Sequence, residues 1–314
     1  MRADNLNVQL VKRSFIVGIA KSWKKNYMAA IVLIPVTLHF LIFSLFPVIF
    51  GLFTSFTNFS FSNLANGKWR FIGISNWKDV LSDDNFWHSL WVTLKYTLYY
   101  VPTVMVLGLF FAYILNRDMK GMRFFRSVFF LPTITSGIVL AAVWKYLFAG
   151  DEGGVFNSLM SIIGLDPIQF WGDGTMVLPI IASLGVYMGA GSLMVYFLGG
   201  IKGIPTSIHE SALIDGAGKW RMFYKITLPL LKPTVLYALI LSTIASFQVF
   251  DVINILTLGG PAGESTTIAY LIYNNGFKLG QLGYASAVSY ILFIIVGIVT
   301  FIQFKWLGAG VSYE

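Results

Sequence analysis

Residues 205–233 read PTSIHESALIDGAGKWRMFYKITLPLLKP. This polar, charged stretch, broken by Gly and Pro, lies between two long apolar runs. Pro205 ends the run before it. Ser207 and Glu210 have the S-x-x-E spacing of a capping box, which satisfies free N–H groups at a helix start. The next turns put Ile208, Ala212 and Leu213 on one side and His209, Glu210 and Asp215 elsewhere. Gly216-Ala217-Gly218 suits a helix C-terminus, because Gly reaches the left-handed conformation at little cost. A second short helix is predicted from Lys219 to about Thr227, ending before Pro229. The stretch is thus a pair of short helices with a break. A folded polar element in one aqueous loop of an otherwise apolar chain is built to be presented to another protein.

The flanking runs decide the class. The chain is 56% hydrophobic and only 11% charged, against about 25% charged residues in soluble domains. So few charges cannot cover a water-facing surface, and the chain reads as an all-α integral membrane protein. Crossing a hydrocarbon core takes roughly 20 apolar residues. Six runs qualify, at 27–53, 87–115, 125–149, 175–201, 233–257 and 284–307. Pro35, Pro47, Pro102, Pro132 and Pro179 are expected to kink or start spans. Twenty-eight Phe, 15 Tyr and 9 Trp suit aromatic belts at the interfaces.

Charge orients the spans. Sixteen of the 22 Lys and Arg residues lie in the segment 1–26, the loops 116–126 and 202–232, and at Lys305. The alternate loops carry Asp79, Asp83, Asp84, Asp151, Glu152, Asp166, Asp173 and Glu264. By the positive-inside rule, both termini, including the tail 308–314, and the 203–232 loop face the cytoplasm. The net charge of +8 follows from that asymmetry and needs no nucleic acid. The segment 1–26 mixes basic residues with Val8, Leu10, Val11, Phe15, Ile16 and Ile19. It fits an amphipathic surface helix as well as a solvated basic tail. No apolar core of signal length precedes Lys21, so the start reads as uncleaved.

The 205–233 stretch resembles the EAA loop of bacterial ATP-binding cassette (ABC) importer permeases, with the pattern E-A-A-x-x-D-G-A-x-x-W-x-x-F-x-x-I-x-L-P-x-x-x-P. Glu210, Ala212, Asp215, Gly216, Ala217, Trp220, Phe223, Ile226, Leu228, Pro229 and Pro233 match. Ser211 replaces the usual Ala, and His209 a common Tyr. The resemblance implies a six-span permease whose coupling helix pair lies between spans four and five. Coupling to the ATPase then falls to Ser207, Glu210, Ala212, Asp215, Gly216, Ala217, Gly218, Trp220 and Phe223. The helix from Ser207 to Asp215 is the lever and Gly216–Gly218 its corner. Glu210 has two readings, as a capping-box residue or as a contact to a basic group on the ATPase. The implied partners are a second homologous six-span permease, two copies of a cytoplasmic ATPase and an extracytoplasmic solute-binding protein. ATP and Mg belong to the ATPases, and no cofactor is expected in this chain. The implied location is the bacterial cytoplasmic (inner) membrane.

The fifth run is the chemically richest. Gln248, Asp251 and Asn254 interrupt apolar sequence, and their spacing of three puts them on one helix face. Polar groups within a span mark a pathway, a cavity or a pairing. Phe250–Pro261, FDVINILTLGGP, resembles the F-D-x-I-x-x-x-T-x-G-G-P signature of maltose-type and glycerol-phosphate-type permeases, in the first of their two subunits. With Tyr187 and Ser192 of the fourth run, these residues are the candidate solute pathway. Amide-rich faces suit sugar hydroxyls, which both donate and accept. Alternatively, Asp251 pins the helix end and its Gly-Gly-Pro turn. Gly185, Gly189, Gly191, Gly199, Gly200 and Gly203 allow close helix packing. Lys145 is placed to snorkel to the interface or to meet an acidic loop residue. In the 54–86 loop, Phe71-Ile72-Gly73 and Asn76-Trp77 resemble the F-x-G-x-x-N-[YF] segment of sugar permeases. That loop and the acidic, Gly-rich 150–174 loop with Trp171 could dock the binding protein.

Enzymatic readings fare poorly. There is no G-x-x-x-x-G-K-[ST] loop, no H-E-x-x-H, no G-x-S-x-G and no cysteine. His39, His88 and His209 are scattered. ATP would therefore be hydrolysed on other subunits. Uptake of sugars or oligosaccharides is the leading reading. Glycerol 3-phosphate or polyol uptake by the same subunit type is the alternative, although only Lys145 and Lys95 come near the spans. An ATPase-independent secondary transporter or a membrane scaffold stands as the other class.

Overall fold

The computed structural model describes residues 27–116, 119–151 and 153–308. The expectations for residues 1–26 and for the tail beyond Gly308 lie outside the described residues. Among those residues the regular elements are all helical, and extended pairing is limited to one antiparallel bridge between Thr57 and Phe71. The chain divides into two units, residues 1–54 and 55–314.

The first unit carries α1 (Tyr27–Phe40), a π-helical turn (Leu41–Leu45) and α2 (Phe46–Ser55). The π-turn has a local cause. Pro47 has no N–H to donate, and its ring crowds the carbonyl one turn back. The ladder widens just before it, with the Phe46 N–H reaching the Leu41 carbonyl.

The second unit holds α3 (Phe61–Ala65), α4 (Ser75–Leu81), α5 (Asp84–Leu115), α6 (Met122–Ile134), α7 (Gly137–Leu147), α8 (Val155–Ile162) and α9 (Val177–Lys202). After these come α10 (Thr206–Ile214), α11 (Lys219–Met222), a π-turn (Phe223–Thr227), α12 (Leu228–Leu230) and α13 (Lys232–Phe247). Last are α14 (Asp251–Leu256), α15 (Ile268–Tyr273) with a following π-turn (Asn274–Lys278), and α16 (Leu282–Gly308). Its spine is the pair α5 and α9. Glycine lets them close: a Cβ at Gly189 would sit 2.6 Å from Tyr100 Oη, and one at Gly108 would meet Leu193 Cβ at 2.6 Å. α13 packs on α5 and α9, and α16 on α13. Two core clusters run along the spine, one around Val92, Ile181, Leu184 and Ile253, the other around Val104, Leu193, Phe197 and Leu231. A third joins Val80, Phe86, Phe247, Ile268 and Val288.

Among the described residues, five helical stretches are long and apolar enough to cross a membrane: Ile31–Ser55, Asp84–Leu115, Val177–Lys202, Lys232–Leu256 and Leu282–Gly308. The expected span at 125–149 is instead a bent pair, α6 and α7, with 94° between them. The break is not at Pro132, which is buried inside α6. It lies at Thr135, whose extended backbone (φ −79°, ψ 142°) ends the ladder before Ser136 and Gly137. The second span starts earlier than expected, because Asp83 accepts the Asn85 N–H at 2.8 Å and caps α5. The F-x-G-x-x-N-W segment does local work. Asn76 donates to the carbonyls of Ser55 and Thr57, both at 2.8 Å, and Trp77 Nε1 donates to Ser55 Oγ at 3.2 Å.

Candidate functional site

The polar stretch folds as two short helices with a corner, but its start differs from expectation. α10 begins at Thr206, with Pro205 at the N-cap and no side-chain cap. Ser207 therefore lies within the helix, where its carbonyl accepts the Ser211 hydroxyl at 2.9 Å. The capping box does not form, because Pro205 (ψ 134°) already sets the non-helical entry one residue pair earlier. That leaves Glu210 on the exposed side of α10. The inward side is Ile208, packed on the core, and buried Ala212, one turn apart. Leu213 and Ile214 point outward, 62% and 86% exposed.

The corner follows the glycine reading. Gly216 is left-handed at φ 74°. The Ala217 N–H donates to the Ala212 carbonyl at 2.9 Å and the Gly216 N–H to the Leu213 carbonyl at 3.0 Å. This double bond pattern closes a helix end and satisfies carbonyls that would otherwise lack donors. Asp215 is the C-cap. Gly218 is the extended residue from which α11 starts.

The second helix does not stop before Pro229. Its ladder widens over Phe223–Thr227, with the Leu228 N–H bonded to the Phe223 carbonyl. Pro229 is then accommodated inside α12, where its missing N–H costs no regular bond. The chain turns at Leu231, which is fully buried. Phe223 faces in, edge-on to Tyr113 of α5 at 4.9 Å. Trp220 faces out, 75% exposed and stacked on Tyr224 at 5.9 Å. Sequence reading missed one support nearby. Arg126 of α6 donates to the Leu115 carbonyl from Nε at 3.0 Å and Nη2 at 2.6 Å, capping the end of α5 with a cation.

Gln248, Asp251 and Asn254 do not lie on one unbroken helix: Gln248 ends α13, while Asp251 and Asn254 lie three apart on α14. The helix breaks between them, at Gln248–Phe250, with Phe250 at φ −137°, ψ −56°. The cause lies downstream: the Thr267 hydroxyl donates to the Val249 carbonyl at 2.9 Å, drawing it out of the helical ladder. Gln248 becomes the C-cap of α13, exposed. Asp251 stands exposed in the first turn of α14, its charge at the positive end of that helix. Asn254 is half-buried. Tyr187 lines an apolar groove of about 760 Å³ among α5, α6 and α9 and packs on Trp144 at 5.0 Å. Ser192 is half-buried five residues further along α9 and does not line that groove.

The Gly-Gly-Pro turn is held by hydroxyls that sequence reading did not single out. Thr257 Oγ1 and Ser265 Oγ are 2.7 Å apart, and Ser265 Oγ donates to the Gly260 carbonyl at 2.6 Å. Thr266 Oγ1 donates to the Gly259 carbonyl at 3.1 Å. Leu258 (φ 53°) and Ala262 (φ 47°) are left-handed without being glycine, at a cost of about 1–3 kcal/mol each. Such residues persist only where neighbours over-determine them. His88 Nε2 lies 3.2 Å from the Gly263 carbonyl, and Lys95 Nζ lies 4.0 Å from Glu264. His88, Leu258, Ala262 and Gly263 rim a polar cavity of about 690 Å³ with Asn85, Asn274 and Tyr270. The tandem Ser265-Thr266-Thr267 was the available signal.

The fold is that of an all-helical chain with several helices long and apolar enough to cross a membrane. The chain belongs to the family of binding-protein-dependent transport system inner membrane components, whose model matches residues 96–313. It is 36% identical over 301 residues to a probable ABC transporter permease of Bacillus subtilis, covering 94% of this chain and 95% of the relative. It is 37% identical over 235 residues to a trehalose/maltose transport system permease of Thermococcus litoralis, covering 75% and 79%. An sn-glycerol-3-phosphate transport system permease of Escherichia coli is 32% identical over 247 residues, covering 78% and 83%. Two solved structures share the fold. One is a bacterial alginate ABC transporter in complex with alginate pentasaccharide-bound periplasmic protein (TM-score 0.79, 22% identity, 90% of this chain and 94% of that chain). The other is a bacterial ABC transporter involved in alginate import (TM-score 0.80, 24% identity, 94% and 99%).

Proposed function

We propose that this chain forms half of the pore of an ABC importer for sugars or oligosaccharides. It has six spans, counting the bent α6–α7 pair as one, and both termini are cytoplasmic. A second homologous permease completes the pore, two ATPase subunits bind ATP and Mg beneath it, and a solute-binding protein delivers solute from outside. The observation that carries this reading is the outward face of 206–227. Ile214 and Trp220 are 86% and 75% exposed on an element whose other side, through Ile208, Ala212 and Phe223, is fastened to the bundle. Exposed apolar side chains on a mechanically fixed mount suit a partner's groove. Glu210, not needed for capping, is left to meet a basic group of that partner. ATP-driven closure of the ATPases would then move the mount, and the pore halves would rock about the solute path.

The carbohydrate class is supported by the trehalose/maltose and multiple sugar permeases among the relatives. A further cation, Lys278, lies against the tyrosines that pack on Phe250. Its Nζ donates to Tyr270 Oη at 3.1 Å and lies over the rings of Tyr270 and Tyr273, beside Phe250. Lys95, by contrast, already faces Glu264. The test is ATP hydrolysis by the reconstituted complex with binding protein and a panel of neutral and uronate oligosaccharides. Stimulation by one class and matching uptake are expected. Hydrolysis and uptake indifferent to the binding protein would sink the proposal.

A further inference from the structure

The 149–170 loop is a built element, and its use is not accounted for by pore or coupling. Asn157, fully buried, ties it shut. Its Nδ2 donates to the carbonyls of Ala149 (2.9 Å) and Ile168 (3.0 Å), and its Oδ1 accepts the Ile168 N–H at 2.9 Å. Phe156 packs on Phe148 at 4.4 Å, and Phe170 meets Phe148 edge-on at 5.4 Å. On this frame α8 and the residues after it turn an apolar ridge outward: Leu159 55%, Ile162 78%, Ile163 72% and Leu165 51% exposed. Gly153–Leu165 has no ionisable residue.

We propose that this ridge lies in the membrane–water interface and is covered by lipid. Position argues for it. The chain enters the loop from Lys145 and Tyr146, residue types that settle at the headgroup level, while Trp144 and Trp171 at its two ends pack against the core. Lys145 and Tyr146 are both exposed in the last turn of α7. The ridge therefore follows directly on a marker of the interface. An apolar helix face at that height is buried roughly 5–10 Å into the headgroup–acyl boundary. Composition argues for lipid over a protein that comes and goes, since transient interfaces carry a polar, charged rim. The charge pattern also fixes the kind of lipid contact. No Lys or Arg occurs between Lys145 and Lys202. Asp151, Asp166 and Asp173 flank the ridge. Asp173 is held below the usual carboxylate range by hydrogen bonds from the Thr175 side chain and backbone. The contact is thus apolar burial without attraction to anionic headgroups.

The chain has no cysteine, so single-cysteine variants Leu159→Cys, Ile162→Cys and Ser161→Cys report cleanly. They would be made in the full complex, in phosphatidylcholine nanodiscs, where both faces are open to reagent. A membrane-impermeant maleimide should label the first two about tenfold more slowly than Ser161→Cys. A bimane at Ile162→Cys should be quenched by lipid carrying a spin label near the headgroup. Replacing part of the phosphatidylcholine by phosphatidylglycerol should change neither. Equal labelling of all three without lipid quenching would place the ridge in water and overturn the proposal. Protection or cross-linking that depends on the second permease, or on added binding protein, would overturn it in favour of a protein contact. None of these readouts depends on solute transport, so their failure is separate from that of the importer reading.

Discussion

The Ala217 N–H reaches back to the Ala212 carbonyl at 2.9 Å, across the left-handed Gly216. That bond joins the buried underside of α10 to the start of the next helix. It makes residues 206–227 a bent bracket and not two independent segments. A force applied at Ile214 or Trp220 would pass through this corner to Ala212, Phe223 and the bundle.

Gly216→Ala should strain the corner by about 1–3 kcal/mol, since φ 74° is costly for a residue with a Cβ. There is open space around the added Cβ, so the effect is backbone strain alone. Gly216→Pro, which cannot reach that φ at all, should leave ATP hydrolysis running with little uptake. Solute transported per ATP hydrolysed in proteoliposomes checks both. An unchanged ratio in the proline variant would remove the corner from the mechanism.

Glu210→Ala should leave the protein inserted and folded, because Glu210 is exposed and caps nothing. It should weaken association with the ATPase and lower stimulated hydrolysis. Loss of a hydrogen bond to a charged group is worth about 1.5–3 kcal/mol, or roughly one to two decades in affinity. Pull-down of the ATPase at graded concentrations measures it. Normal docking would return Glu210 to the surface residues.

Gly189→Ala should destabilise the α5–α9 spine by about 1–3 kcal/mol through overpacking, because the new Cβ would meet Tyr100 Oη at 2.6 Å and Val104 Cγ2 at 3.2 Å. Tyr100→Phe in the same chain removes the nearer atom and should restore part of the loss. Thermal unfolding in nanodiscs reads the cycle. Additive effects of the two changes would mean that the oxygen is not the obstacle.

Ser265→Ala should loosen the Gly-Gly-Pro turn. It strips the Gly260 carbonyl of its hydroxyl donor and leaves Thr257 with the Ile253 carbonyl alone. A buried polar group left unpaired costs about 1–3 kcal/mol. Protease cleavage at the turn should accelerate while the bundle stays intact. A cleavage rate equal to wild type would show that Leu258 and Ala262 are held by other contacts.

How much of this was legible follows from the range of each interaction. The apolar runs, the glycine corner and the close packing at Gly185, Gly189, Gly191 and Gly200 depend on nearby residues or on bulk apolarity, and sequence carries both, whereas Gly199, read the same way, faces open space. The bend at Thr135 sits among Thr133, Ser136 and Gly137 in a run whose average is still apolar, so hydropathy reads through it. The break at Gln248–Phe250 is set by a hydroxyl eighteen residues later, at Thr267. Periodicity therefore put Gln248, Asp251 and Asn254 on one face when they lie on two segments. The capping box failed for a local reason: Ser207 and Glu210 had the spacing, but Pro205 had already fixed the helix entry. Arg126 on the Leu115 carbonyl was beyond reach, since no pattern links a cation in the first turns of one helix to the end of the helix before it.

The central claim is that residues 206–227 receive ATP-driven motion from a cytoplasmic ATPase. The most direct test places a photo-cross-linker at Ile214→Cys in the assembled complex within native membranes. Cross-linking to the ATPase subunit, in a band pattern that changes when ATP binds, is the predicted result. Labelling of Ile214→Cys by an impermeant reagent from outside intact cells, or cross-linking to lipid or the second permease alone, would contradict it.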